Sequence, residues 1–182
     1  MKLKILIIIL FVLQPVLIAQ KATKSQCKWQ KNEVDPFTKV KQRTTEWEKV
    51  GYNIILKNNI HGSLNFAISE QISENDTVFS LWINTSTAQM VCFNDQSIIR
   101  IKSGDTIIDF PLLAGINCGN SLANYSVINP EDMEFLKSNP IDLLRIQFSG
   151  DGNLIINFDI KNVNRYSKLT TDYFIRTLKC FE

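Results

Sequence analysis

The 182-residue chain holds a single histidine, His61. That scarcity narrows the chemistry that imidazole can support. There is no H-E-x-x-H metalloprotease helix and no G-x-S-x-G nucleophile elbow. A Ser–His–acid site would have to be built on His61, whose neighbours Asn59, Ile60, Gly62 and Ser63 read as a solvated turn. Closely spaced cysteines are missing too, so no pair can form the knuckle of a zinc site, and nothing else in the sequence implies a metal or cofactor. No apolar run reaches the roughly 20 residues of a membrane-spanning helix. No linker or low-complexity tract divides the chain. An excess of one charge sign is also absent. The 20 Lys+Arg include Lys2 and Lys4 in the first 19 residues, which hold none of the 18 Asp+Glu, so the rest of the chain carries 18 of each. A nucleic-acid binder keeps a clustered basic excess for phosphates, and this chain does not.

What is present begins with MKLKILIIILFVLQPVLIAQ, in which Lys2 and Lys4 precede an apolar run, then Pro15 and the small residue Ala19. This is the layout of a cleaved secretory signal, and we place the cleavage after Ala19. Residues 1–19 are then the signal peptide and 20–182 a single β-rich domain, long enough to bury roughly 70 % of its unfolded surface. Cys27 follows a polar stretch instead of the apolar run, so a lipid anchor is not expected. The expected location is periplasmic or extracellular.

Four cysteines in an exported chain point to disulfides. Three connectivities are open. Cys27 with Cys180 would tie the two ends of the domain, and Cys92 with Cys118 would join neighbouring segments; this is the connectivity we prefer. On the chain-entropy model the longer loop contributes about 4–5 kcal/mol and the shorter roughly 3 kcal/mol.

Period-two alternation dominates the middle of the chain. Leu64, Phe66 and Ile68 share one face, as do Phe79, Leu81 and Ile83. Further strands are expected over 44–50, 52–57, 88–93, 98–102 and 106–112, separated by turn residues at 58–59, 75–76, 94–95 and 103–105. Two helices are expected. One has Asn129 as cap, Pro130 in its first turn and Pro140 as its stop; the other begins near Thr170 and carries Phe174, Leu178 and Phe181 as an apolar stripe. No crossover helix lies between the strands, so a parallel fold is excluded. The fold class expected is α+β, with an antiparallel, curved or barrel-like sheet of seven to ten strands and two C-terminal helices.

The loop SGDGN (149–153) lies between two alternating apolar runs. Gly150, Asp151, Gly152 and Asn153 suit a tight hairpin. A phosphate loop would be followed by a helix, and here a strand follows. Calcium ligation would need a different acid spacing than Asp151, Asn153 and Asp159 offer. The segment IIRIKSGDTIIDF (98–110) resembles LLRIQFSGDGNLIINF (143–158), as though one hairpin were used twice.

Candidate site residues are few. Asp105, Asp109, Asp151 and Asp159 sit near strand ends, where isolated acids are usually turn or edge residues. Lys39, Lys41 and Arg43 alternate before Trp47, either as a basic face with an aromatic platform for an anionic glycan or as a charged edge strand that resists aggregation. Trp29 and Trp82 are further aromatic candidates.

The stretches CKWQKNEVDPFTKVKQRTTEW (27–47) and DYFIRTLKCF (172–181) resemble a group of small secreted proteins of Bacteroidota-type bacteria. Those begin with a Cys followed by N-E-x-D-x-F-T and end in a helix closing on a Cys. NPEDMEFLKSNPIDLLRIQF (129–148) is similar to their helix and following strand. Lys39 departs from the pattern, standing where a glycine would follow the threonine. The resemblance implies export, paired end cysteines and one domain, and it transfers no catalytic residue.

Together these features lead to an exported, non-catalytic domain that binds a protein or cell-envelope component. The alternative is an exported hydrolase of glycans or peptides using paired acids or His61. A cleft gathering two carboxylates would favour the hydrolase.

Overall fold

The structure is a computed structural model that describes residues 27–52, 62–148, 155–159 and 170–182. Within them the chain forms β1 (Trp29–Val34), β2 (Lys41–Thr45), β3 (Glu48–Tyr52), β4 (Gly62–Ile72), β5 (Thr77–Phe93), β6 (Ile98–Ser103), β7 (Thr106–Pro111) and β8 (Asn117–Ile128). Then come helix α1 (Pro130–Ser138), β9 (Leu143–Gln147), β10 (Ile155–Asp159), helix α2 (Tyr173–Leu178) and a 3-10 turn (Lys179–Phe181). Every strand pairing is antiparallel. The strands belong to two sheets instead of one, and neither is closed, so the barrel-like expectation is corrected. The larger has the order β1-β2-β4-β5-β8, with β3 also beside β4, and the smaller β10-β9-β6-β7.

Alternation explains how both sheets share one core. From the large sheet Leu64, Phe66, Ile68, Leu81 and Ile83 point inward, and from the small one Ile99, Ile101, Phe110, Leu144 and Ile146 do the same; all are buried in a single cluster. The rings of Phe93 and Phe148 stack at 5.0 Å and join the two sheets. Each such side chain contributes about 1.5–3 kcal/mol on burial.

The small sheet has an internal symmetry. Its two hairpins lie side by side through β6 and β9, with Arg100 opposite Arg145 and Ile99 opposite Ile146. Arg100 is also opposite Asp109 on β7, and Arg145 is opposite Asn157 on β10. The repeated hairpin therefore pairs with its own copy about a local two-fold. Like charges directly opposite are unfavourable, and the guanidinium of Arg100 is compensated by both carboxylate oxygens of Asp109 at 2.6 Å. At the β6–β7 turn Gly104 has φ 57°, the left-handed geometry that glycine permits. The SGDGN loop itself lies outside the described residues, but β9 and β10 on its flanks pair antiparallel as a hairpin requires.

Helix α1 starts as its sequence dictates. Asn129 accepts a hydrogen bond from the Asp132 amide at 2.8 Å, and Glu131 and Asp132 fill the first turn. Helix α2 begins at Tyr173 and not near Thr170, because Thr170 is bonded to the Asp172 carboxylate and to Arg176 and does not cap. Its apolar face, with Phe174 and Leu178, is buried, and Phe181 follows in the 3-10 turn.

Some strands differ from expectation. The stretch 44–50 is broken at residues 46 and 47, neither of which pairs with β4, so β2 and β3 lie one after the other along β4, while the Glu46 amide donates to the Lys28 carbonyl at 3.0 Å. The run 88–93 belongs to the 17-residue β5, whose register against β8 shifts between Ser86 and Val91. Strands β1 and β8 have no counterpart in the sequence reading. In β8 the inward positions are Leu122, Asn124, Ser126 and Ile128, all buried, and the two polar residues erase the alternation. Asn124 is accommodated because its oxygen accepts from the amides of Ala114 and Tyr125. The strand at 52–57 and the turn at 58–59 fall mostly outside the described residues.

One polar interaction lies at the end of this core. Glu70 on β4 faces Arg43 on β2; their side chains are 4 % and 16 % exposed, and the second guanidinium nitrogen donates to Glu70 at 2.9 Å. The same nitrogen donates to the Phe181 carbonyl at 3.1 Å. The guanidinium sits 5.4 Å from the Trp29 ring and 5.3 Å from that of Phe181, which packs edge-on against Trp29 and Phe79.

Both disulfides form, Cys27 with Cys180 and Cys92 with Cys118. The second joins directly opposed residues of β5 and β8. Their sequence separations are 153 and 26, so loop entropy favours the first by about 1.5 kcal/mol. Replacing Cys27 and Cys180 by alanine should lower the unfolding free energy by about 5 kcal/mol, and replacing Cys92 and Cys118 by about 3.5 kcal/mol. Urea unfolding of the two variants checks this, and the reverse order would contradict it.

Candidate binding cleft

The interruption between β2 and β3 releases Glu46 and Trp47 from pairing with β4, and both line a cleft with the C-terminal segment. Helix α2 is fixed there by Tyr173, whose ring packs 6.5 Å from Phe66 and 4.9 Å from Phe174. The Cys27–Cys180 bridge holds the chain ends beside it. Between these elements lies a half-open cleft of about 390 Å³. One wall is Thr45, Glu46, Trp47 and Glu48 from the β2–β3 edge; the other is Tyr173, Arg176 and Thr177 from α2. Lys28 and the Cys27–Cys180 pair complete it.

Charges in the cleft are balanced and paired. Arg176 reaches Glu48 at 3.4 Å and Asp172, four residues earlier, at 3.2 Å. Its terminal nitrogen also donates to the Thr170 hydroxyl at 3.1 Å. At the rim Lys28 and Glu46 approach to 4.0 Å, both well exposed. Such a rim pair contributes little to stability.

Burial raises all three of the titrating groups here, and local partners decide the net direction. The Glu48 carboxyl is pushed above its ordinary value by desolvation, with Arg176 opposing. Asp172 is held below the usual carboxylate range by the Thr170 hydroxyl and then by Arg176. The Tyr173 phenol is raised by burial and by the neighbouring Glu48 charge. Its hydroxyl is enclosed, with Thr177 beside it, yet no described residue meets hydrogen-bond geometry with it. Leaving a buried hydroxyl unpaired costs about 1–3 kcal/mol.

Of the candidates named from sequence, the cleft contains only Trp47. Arg43 is committed to Glu70 and the Phe181 carbonyl. Lys39 donates to the Pro36 carbonyl at 2.8 Å within the β1–β2 turn. Its φ is 60°, in the left-handed region that glycine favours. Lys41 opens β2 away from the cleft lining. The basic residues and Trp47 therefore do not form one platform. Trp29 caps Arg43, and Trp82 donates to Ser69 and packs 4.9 Å from Tyr125. Asp109 is paired with Arg100, whose guanidinium lowers its pKa. Asp105 is exposed in the β6–β7 turn. His61 and Asp151 lie outside the described residues, and Asp159 is placed only as the last residue of β10.

The cleft residues not singled out from sequence are Lys28, Thr45, Glu46, Glu48, Tyr173, Arg176 and Thr177. The alternation of Glu46 and Glu48 around Trp47 was the available signal. Its meaning depends on the break between β2 and β3 and on where α2 docks. Among the described residues no group of three or more His, Cys, Asp or Glu is placed to hold a metal, and no helix is long and apolar enough to cross a membrane. No family model, curated protein or solved structure matches this chain.

The raised Glu48 pKa has a definite linkage sign. As pH rises past the ordinary value of 4.5 the unfolded chain releases this proton before the folded chain does, so the contribution to stability falls. Wild-type protein should lose stability relative to Glu48→Gln as pH rises above about 4.5. Thermal unfolding of both from acid to neutral pH measures it, and parallel profiles would contradict the partial desolvation of Glu48.

Proposed function

We propose that this chain is an exported, non-catalytic binding domain for a protein or cell-envelope component, and that the cleft between the β2–β3 edge and α2 is its contact site. The observation that carries this reading is the pairing of every charged group in the cleft. Glu46 faces Lys28, and Glu48 faces Arg176. Catalysis by paired carboxylates needs one of them free as base or nucleophile beside a protonated acid. Recognition is served by a pair of opposed charges already braced, as Glu48 and Arg176 are, which lowers the ordering cost of binding. Two disulfides, one tying the chain ends, fit a protein that works in an oxidising compartment, as the N-terminal signal implies.

The hydrolase is the second reading, and a specific observation favours it. Two carboxylates share one wall of the cleft, and burial raises the pKa of Glu48, the direction required of a general acid. Under that reading Glu48 donates the proton and Glu46 acts as base.

Mixing the purified protein with washed envelope fragments separates the two. The binding reading predicts that the protein sediments with the fragments, releases no soluble product, and is retained at least tenfold less when Arg176 is replaced by alanine. Release of soluble fragments that ceases in Glu48→Gln would establish the hydrolase instead.

A further inference from the structure

We infer that the cleft takes a neutral saccharide of about disaccharide size, with a sugar ring against Trp47; this rests on the binding role proposed for the same cleft. Three observations point to that ligand class. First, the lining holds two cations, Lys28 and Arg176, and two acids, Glu46 and Glu48, so it offers no net charge to select an anion or a cation. Second, the remaining polar side-chain groups are the hydroxyls of Thr45, Tyr173 and Thr177 and the indole N–H of Trp47. Thr45 uses its oxygen to accept from the Ile68 amide at 3.0 Å, which leaves its proton to donate, and Thr177 lies opposite. Third, the Tyr173 hydroxyl is enclosed in the α2 wall beside Thr177, and no described residue meets hydrogen-bond geometry with it, so its proton remains to be matched by a water or hydroxyl admitted through the cleft.

A sugar ring matches this arrangement. It has an apolar C–H face for an indole and a rim of hydroxyls that both donate and accept. Paired charges such as Glu48 and Arg176 present an acceptor and a donor together, which neutral hydroxyls use without a charge of their own. The volume of about 390 Å³ falls in the usual range of small-ligand sites. An anionic glycan is disfavoured, because the basic residues that would attract it, Lys39 and Arg43, are engaged with the protein itself.

Calorimetric titration of the full mature protein with cellobiose, maltose and N,N'-diacetylchitobiose tests this, with digalacturonate and diglycine as charged comparators. The expected result is binding of at least one neutral disaccharide, weakened at least tenfold by Trp47→Ala and several-fold by Tyr173→Phe. The second variant keeps the ring and so protects the test against a packing defect. Binding of digalacturonate alone, lost in Trp47→Ala, would overturn the neutrality of the ligand, and binding of diglycine alone would overturn the saccharide class; either would leave the cleft as a binding site. Saccharide binding that neither variant alters would place the sugar elsewhere and overturn the inference. If none of the five binds, the saccharide assignment falls, and sedimentation with envelope fragments then decides separately whether the cleft binds at all.

Discussion

The position of the C-terminal segment depends on the ion pair between Arg43 and Glu70. Taking both charges out of water costs several kcal/mol each, and a buried pair is sustained only when its remaining hydrogen-bonding groups are met. Here they are met by geometry. The guanidinium engages both Glu70 oxygens and the Phe181 carbonyl, and its faces lie near the Trp29 and Phe181 rings. The Phe181 carbonyl thus binds the chain's last turn to a pair in the middle of the large sheet. The neighbouring Cys180 is bridged to Cys27, so a covalent and an ionic clasp act on successive residues.

That clasp places α2, and α2 makes the cleft. With the 3-10 turn held, Tyr173 packs on Phe66 and Arg176 stands across from Glu48. Glu48 begins β3, which exists as a separate strand because pairing with β4 lapses at residues 46 and 47. The cleft therefore arises where a strand break and a clamped terminus meet, away from the repeated hairpins. The proposed saccharide role uses the same balance of charge that argues against catalysis.

Much of the fold was legible in the sequence, for physical reasons that can be named. The cap at Asn129, the stop at Pro140, the alternation in β4 and the two similar hairpins all follow local rules, and each appears. Cysteine arithmetic led to the pairing that forms. The division into two sheets was not legible, because alternation fixes which face a residue shows and not which strand it meets. Strand β8 was hidden by Asn124 and Ser126 at inward positions. The site was harder still. Arg43 and Lys39 read as a surface strip, yet Arg43 is spent on a carboxylate 27 residues away and Lys39 on its own turn. Glu48 and Arg176 are 128 residues apart and meet only through the C-terminal clasp.

The central claim is that the buried pair fixes the C-terminal helix and hence the cleft. Amide hydrogen exchange along 173–181 in Arg43→Met, with both disulfides intact, tests it most directly. Breaking one partner of a buried pair costs about 3–5 kcal/mol. The account predicts that protection of α2 falls by at least about tenfold while that of β4 and β5 is largely kept. Unchanged protection of α2 would show that the disulfide and apolar packing suffice, and would contradict the account.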